Sequence, residues 1–310
     1  MSVVIAGSTG LVGSALTEAF TAAGHEVIGL NRSVVDLLDL EATKKIIKKI
    51  TPNLVIDAAA KVGGIGANNA LPVEFLSDNL RIQSNLMEAA HASSVEKFIF
   101  LGSSCIYPRN CPQPIKEEYL MTGPLESTNS AYAIAKIAGI ELINSYRKEY
   151  GAQWISLMPT NLYGPRDNFD LQASHVLPAL IRRFIEAVEN GSAKVTLWGS
   201  GSPRREFLHV NDLAQAVLKI SENYDSPMHL NIGSGSDLTI KDLAEKVAAA
   251  AGFTGEIEWD RSKPDGTPQK VLDVSKIKAL GWEPTIRLEE GIASTITWYK
   301  EASARGEVRK

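Results

Sequence analysis

Three glycines at every third position, in Gly7-Ser8-Thr9-Gly10-Leu11-Val12-Gly13, follow the apolar run Val3-Val4-Ile5-Ala6 and precede an amphipathic pattern that starts at Leu11. A chain that turns this sharply between a buried strand and a helix needs residues without a Cβ. Glycine lets the backbone reverse, approach an anion closely and seat the helix on the sheet. The helix N-terminus then presents free N–H groups to a pyrophosphate. A lone glycine triplet says little, but this one occupies the strand-to-helix position that the motif requires. The alternative is a tight turn that binds nothing.

Beyond the turn, short apolar runs alternate with helical patterns. Strands are expected at 3–6, 26–30, 54–57, 97–101 and 154–158, and helices at 11–23, 40–50, 75–92 and 130–150. This rhythm implies an α/β fold with a doubly wound parallel sheet and helices on both faces. After Pro159 the pattern changes. Residues 161–204 are rich in Asn, Gly, Pro and Asp around one helix at 176–190. Strand-like runs follow at 207–210 and 230–233, with helices at 211–223 and 240–251. The expected division is a nucleotide-binding domain over 1–160, with a return segment at about 205–230. A second, smaller α/β lobe then comprises 161–204 and 231–310. There is no internal repeat and no low-complexity tract.

The net charge of -4 over 310 residues does not favour nucleic acid, so an anionic ligand would need a local basic patch. Two cysteines, Cys105 and Cys111, make no disulfide framework and fit a reducing, cytoplasmic setting. The first residues lack a basic leader and read as a buried strand, not a signal peptide. No apolar stretch reaches the roughly 18 residues that a membrane span needs. No metal site is expected.

At the end of the second expected strand stands Leu30-Asn31-Arg32. A carboxylate there would hold ribose hydroxyls. Its absence, with Arg32 able to bind a phosphate, favours NADP(H) over NAD. Tyr132 and Lys136 are one helical turn apart and share a face. Ser103 and Ser104 follow the fourth strand, at the carboxyl edge where ligands bind in such sheets. A carbonyl receiving hydride needs a proton donor beside it. A free phenol titrates at about 10, and a nearby ammonium and a nicotinamide cation would lower that value. Tyr-x-x-x-Lys alone is common, and an exposed helical pair is its bland reading.

Glycine turn, strand-end serine and downstream Tyr/Lys together resemble the extended short-chain dehydrogenase/reductase family, a Rossmann fold, over most of the chain. The resemblance implies that Tyr132 is the proton donor, that Lys136 binds the nicotinamide ribose and tunes Tyr132, and that Ser103 or Ser104 completes the triad, with Ser103 matching better. Further segments resemble the GDP-L-fucose synthase branch: 58–65, Gly102-Ser103-Ser104-Cys105-Ile106-Tyr107-Pro108, 132–139, Met158-Pro159-Thr160-Asn161-Leu162-Tyr163-Gly164-Pro165 and Lys263-Pro264-Asp265-Gly266-Thr267-Pro268.

That branch implies 3,5-epimerisation and NADPH-dependent 4-reduction of a GDP-4-keto-6-deoxymannose, and a homodimer built on the helices at 75–92 and 130–150. Epimerisation next to a ketone needs a base on one face and an acid on the other. By resemblance Cys105 is the base and His175 the acid. Without it, Cys105 reads as a small buried hydrophobe and His175 as a structural histidine. A diphosphate calls for cations in the second lobe, where Arg182, Arg183, Arg204 and Arg205 lie; resemblance points to Arg183 and Arg205 as substrate contacts, with Trp198 and Asp265 near the sugar or guanosine. Trp198 also reads as core and Asp265 as a turn residue. Cofactor contacts implied by the family are Gly7 to Gly13, Arg32, Leu101 to Ser104, Lys136, Pro159 to Leu162 and His175. Some members carry a basic residue between the turn glycines, where this chain has Ser8-Thr9, so the coenzyme phosphate rests on Arg32 alone. The rival readings are a 4-epimerase or 4,6-dehydratase on the same scaffold, and a non-catalytic cofactor-binding sensor. Dehydratases of that type place Thr-Asp-Glu where this chain has Ser103-Ser104-Cys105.

Overall fold

The computed structural model describes residues 1–309 except Pro264, so that one position of the Lys263–Pro268 segment lies outside the described residues. Five strands of the first half are nearly continuous apolar runs or lie beside one: β1 (Ser2–Ala6), β2 (Glu26–Leu30), β3 (Leu54–Asp57), β4 (Lys97–Leu101) and β5 (Ile155–Pro159). Such runs suit strands covered on both faces. With β9 (Leu230–Ile232) they form one six-stranded sheet in the order β2-β1-β3-β4-β5-β9, every neighbouring pair parallel. Helices α2 (Leu40–Ile50), α4 (Pro72–Ala92) and α5 (Ser130–Tyr150) pack in series, while α1 (Leu11–Ala22) packs on α7 (Val210–Asn223). This is the doubly wound plan expected from the sequence. Helix ends follow local chemistry. Asp39 caps α2 by accepting from the Ala42 N–H at 3.0 Å. Beyond α1, Gly24 takes a φ of +83° that a side chain would resist.

The smaller lobe carries its own core around Phe184, Val247 and Tyr299. Its main sheet joins β8 (Arg204–His209) to β6 (Asn161–Tyr163), β10 (Asp237–Thr239) and β12 (Gln269–Lys270), and a second pairs β7 (Lys194–Trp198) with β11 (Glu256–Asp260). Helices α6 (Val176–Glu189), α8 (Ile240–Ala251) and α10 (Leu288–Ala304) pack around them, and α9 (Ser275–Ala279) lies against β9.

Three details differ from the sequence expectation. A short helix α3 (Ile65–Ala70) precedes α4, which starts at Pro72, where a missing N–H costs nothing. The 154–158 strand is shifted by one residue, to Ile155–Pro159. The return to the large sheet runs through α7 and β9, not from 205, because β6 leaves the sheet just after Thr160 and pairs with β8. Glu206 of β8 ties the lobes: it is fully buried and accepts from Gly235 N–H at 2.6 Å and Leu272 N–H at 2.9 Å. Among the described residues no helix is long and apolar enough to cross a membrane, and no group of three His, Cys, Asp or Glu could hold a metal.

Candidate active site

The carboxyl edge of the large sheet and the smaller lobe enclose one cleft of about 2430 Å³. Its floor begins at the glycine turn. Gly7 has a φ of +77°, and a Cβ there would meet the Ala58 carbonyl oxygen at 2.7 Å. A Cβ on Gly13 would run into the backbone of Gly7, so that glycine seats α1 on the turn. Gly10 stands at the N-cap of α1 with extended backbone, and the first-turn N–H groups of Leu11, Val12 and Gly13 have no intrahelical acceptor. Gly7, Thr9, Gly10, Leu11 and Val12 line the cleft. Ser8 and Gly13 do not. The Ser8 hydroxyl turns away toward the Leu30 carbonyl at 3.4 Å, and Gly13 is buried beneath the turn. Arg32 is exposed on the cleft wall and makes no ion pair or hydrogen bond among the described residues.

All five side chains expected to be catalytic line this cleft: Ser103, Cys105, Tyr132, Lys136 and His175. Ser103 and Ser104 leave β4 in a short 3-10 turn. Ser104 is 3% exposed, whereas Ser103 is more open and its hydroxyl is a hydrogen-bond partner that stabilises the ionised Tyr132. Ser103 Oγ also accepts from the Cys105 N–H at 3.2 Å. On α5, Lys136 is 2% exposed, donates to the Leu101 carbonyl at 2.9 Å, and lies 4.7 Å from the Phe100 ring centre and 5.9 Å from that of Tyr132. Burial lowers the Lys136 ammonium and the Asp57 carboxylate raises it. In the free protein Tyr132 is not acidified. Burial pushes its phenol well up, the Cys105 charge adds to that, and Ser103 offsets only part. Tyr132 therefore keeps its proton across the neutral range, as a donor must.

Cys105 Sγ faces two donors, Asn129 Nδ2 at 3.5 Å and Lys270 Nζ at 3.7 Å. His175 is the N-cap residue of α6 but makes no capping bond with its side chain. Water reaches it, yet the cleft walls crowd it. That crowding and the Lys270 charge both disfavour imidazolium and lower it. Lys270 acts on both groups, and the sequence reading did not single it out, nor Asn129. Lys270 lies two residues past the last matching segment, and Asn129 just before the helix that carries Tyr132.

The substrate candidates also line the cleft. Arg183 makes no ion pair or hydrogen bond among the described residues, whereas its neighbour Arg182 is bound to Glu186 and the Phe169 carbonyl. Arg205 points inward, held by the Arg204 and Thr267 carbonyls at 2.7 and 2.6 Å, and burial lowers its guanidinium. Arg204 instead pairs with Asp237 at 2.7 Å. Trp198 is 70% exposed with Lys263 Nζ 5.6 Å from its ring centre, so it is not core. The Asp265 carboxylate accepts from Ser200 N–H at 2.9 Å and Ser200 Oγ at 2.6 Å, which ties it to the neighbouring turn. At the cofactor end, Leu101, Gly102, Pro159, Thr160, Asn161 and Leu162 line the wall. The side chains of Thr160 and Asn161 are committed to the Glu206 carbonyl.

A protonated phenol beside a buried lysine, at the edge of a parallel sheet that opens with a glycine turn before a helix, is the plan of the short-chain dehydrogenases/reductases. The comparisons narrow the class. Residues 3–233 match the model of the NAD dependent epimerase/dehydratase family, and the chain belongs to that family. It is 51% identical over 301 residues to a probable GDP-L-fucose synthase 1 of Oryza sativa subsp. japonica, covering 96% of this chain and 92% of the relative. It is 48% identical over 313 residues to a GDP-L-fucose synthase of Escherichia coli strain K12, covering 98% of each. Among solved structures, a GDP-L-fucose synthetase from Naegleria fowleri bound to NADP superposes with a TM-score of 0.92 at 31% identity, covering 100% of this chain and 96% of that one.

Proposed function

We propose that the chain converts GDP-4-keto-6-deoxy-D-mannose to GDP-L-fucose, inverting carbons 3 and 5 and reducing the 4-ketone with NADPH. The observation that carries this reading is the shared cleft. A thiol, an imidazole and a protonated phenol line the walls around one ligand site, together with an unpaired Arg183. The printed functions of relatives matched over nearly the whole chain support it.

The residues fit a dinucleotide. The turn leaves no room for a Cβ at Gly7, and its helix offers free N–H groups to a pyrophosphate. Arg32 would take the coenzyme 2′-phosphate and Lys136 the nicotinamide ribose. When bound, the cofactor supplies the hydride. Cys105 removes the protons at carbons 3 and 5, with Asn129 and Lys270 holding the thiolate. His175 returns a proton on the opposite face, and a bound diphosphate would favour its imidazolium. Ser103 orients the carbonyl oxygen, and Tyr132 protonates it. Arg183 and Arg205 bind the diphosphate, beside Trp198 and Asp265.

The reading extends to a cytosolic homodimer packed through α4 and α5. Val73, Ile134 and Tyr150 on those helices are exposed apolar side chains that such an interface would cover.

The test is to incubate the protein with the ketosugar and NADPH in heavy water. One NADPH should be oxidised per sugar, with deuterium at carbons 3 and 5 of the product. Sugar turnover without net NADPH loss would replace this reading with a cofactor-recycling epimerase or dehydratase. No turnover at all would replace it with a sensor.

A further inference from the structure

One buried ionisable group has no place in this chemistry. Asp57 ends β3, is 0% exposed, and does not line the cleft. Its Oδ1 accepts from the Ala59 N–H at 3.1 Å, while Oδ2 has no hydrogen-bond partner among the described residues. A carboxylate oxygen left unpaired in the interior is costly. A residue chosen only to fill the strand would be apolar, as its neighbours Val55 and Ile56 are.

The register explains what Asp57 faces. Asp57 lies beside Phe100 in the parallel β3–β4 pair. Paired residues project from the same face of a sheet. That face carries α5, because a Cβ on Gly139 would strike the Phe100 ring. Lys136 Nζ sits 4.7 Å from the centre of the same ring. Asp57 and Lys136 thus share one buried layer without direct contact, and Asp57 is the charge that acts on Lys136. Lys136 acts on Asp57 in return: burial raises the carboxyl, Lys136 and the Ala59 N–H lower it, and the balance lies at about 6.

We propose that Asp57 is the buried counter-charge that keeps Lys136 an ammonium, a positioning residue that reaches the reaction only through Lys136 and Tyr132. The inference rests on the roles given to those two residues above. A buried lysine without a counter-charge sheds its proton readily. An uncharged Lys136 would lose its grip on a ribose hydroxyl and its influence on the phenol. The titratable groups facing this layer are Asp57 from β3, Lys136 and Tyr132 from α5, and Cys105 from the turn after β4.

Two neutral variants test this: Asp57→Asn, of equal shape, and Asp57→Leu, which matches the apolar surroundings. In the free protein, thermal unfolding at about pH 7.5 completes a double-mutant cycle with Lys136→Met. Asp57→Asn should raise Tm more when Lys136 is absent, because the carboxylate then has no cation to offset its burial. In turnover, both variants should bring the alkaline limb of the pH–kcat profile down by about one unit, with KM changed little. The sign is fixed, since removing the negative charge lowers both Lys136 and Tyr132. Additive Tm changes, or an alkaline limb that stays in place, would overturn the proposal. A wild-type protein that never oxidises NADPH with the ketosugar would instead remove the functional reading, and the cycle in the free protein would still decide the coupling.

Discussion

The surroundings of Cys105 link it to His175. Asn129 and Lys270 direct two donors at Sγ, and Lys270 also depresses the imidazolium of His175. One cation therefore touches both groups: it lies beside Sγ and adds to the burial that disfavours imidazolium at His175. Replacing Lys270 with Met should raise the titration midpoint of His175, read from its ring C–H signals by NMR in the free protein. A midpoint that stays put would show that crowding alone governs His175. Ser103, Tyr132 and Lys136 were legible in the sequence because spacing along a helix and position after a strand are local properties. Lys270 was not. It reaches Cys105 only because β12 pairs with β8 and because Ile115 bridges to Leu272. The rise of the Tyr132 phenol in the free protein was not legible either, since a motif shows a neighbouring ammonium but not the depth of burial around the ring.

At the scale of elements, the first half of the chain announced itself. Strands of apolar, largely β-branched residues alternate with long helical patterns, and glycine or proline follows several of those helices. The smaller lobe was harder. β7 alternates buried and exposed residues over only Lys194–Trp198, and β10 and β12 are shorter still, so periodicity has little length to act on. The turn before α1 carries the strongest element-scale expectation. Gly13→Ala forces a methyl into the Gly7 backbone. It should cost about 1–3 kcal/mol in denaturant unfolding and weaken NADPH binding, measured by fluorescence titration. At the other end of the chain, Thr239 and Asp242 form a reciprocal cap on α8. Thr239→Ala should cost about 1 kcal/mol while leaving NADPH affinity unchanged, because α8 packs on α6 and α10, away from the turn.

The whole molecule is two cores joined across one cleft, and some of its buried acids oppose stability. Asp167, which lines the cleft, is 6% exposed, has one unpartnered oxygen, and is raised from 3.8 to about 7. A carboxyl raised in the folded state adds stability only at low pH, and that contribution is lost as pH rises through about 7. Asp167→Asn should therefore stabilise the protein at about pH 8 by about 2–4 kcal/mol, and by much less near pH 5. Thermal unfolding at the two pH values checks it. The measurement that bears most directly on the whole account separates the two chemistries assigned to the cleft. Deuterium exchange into carbons 3 and 5 and NADPH oxidation are followed together in Cys105→Ser and Tyr132→Phe. Exchange should collapse in the first while NADPH still binds, and hydride transfer should fall much more than exchange in the second. Undiminished exchange in Cys105→Ser would contradict this.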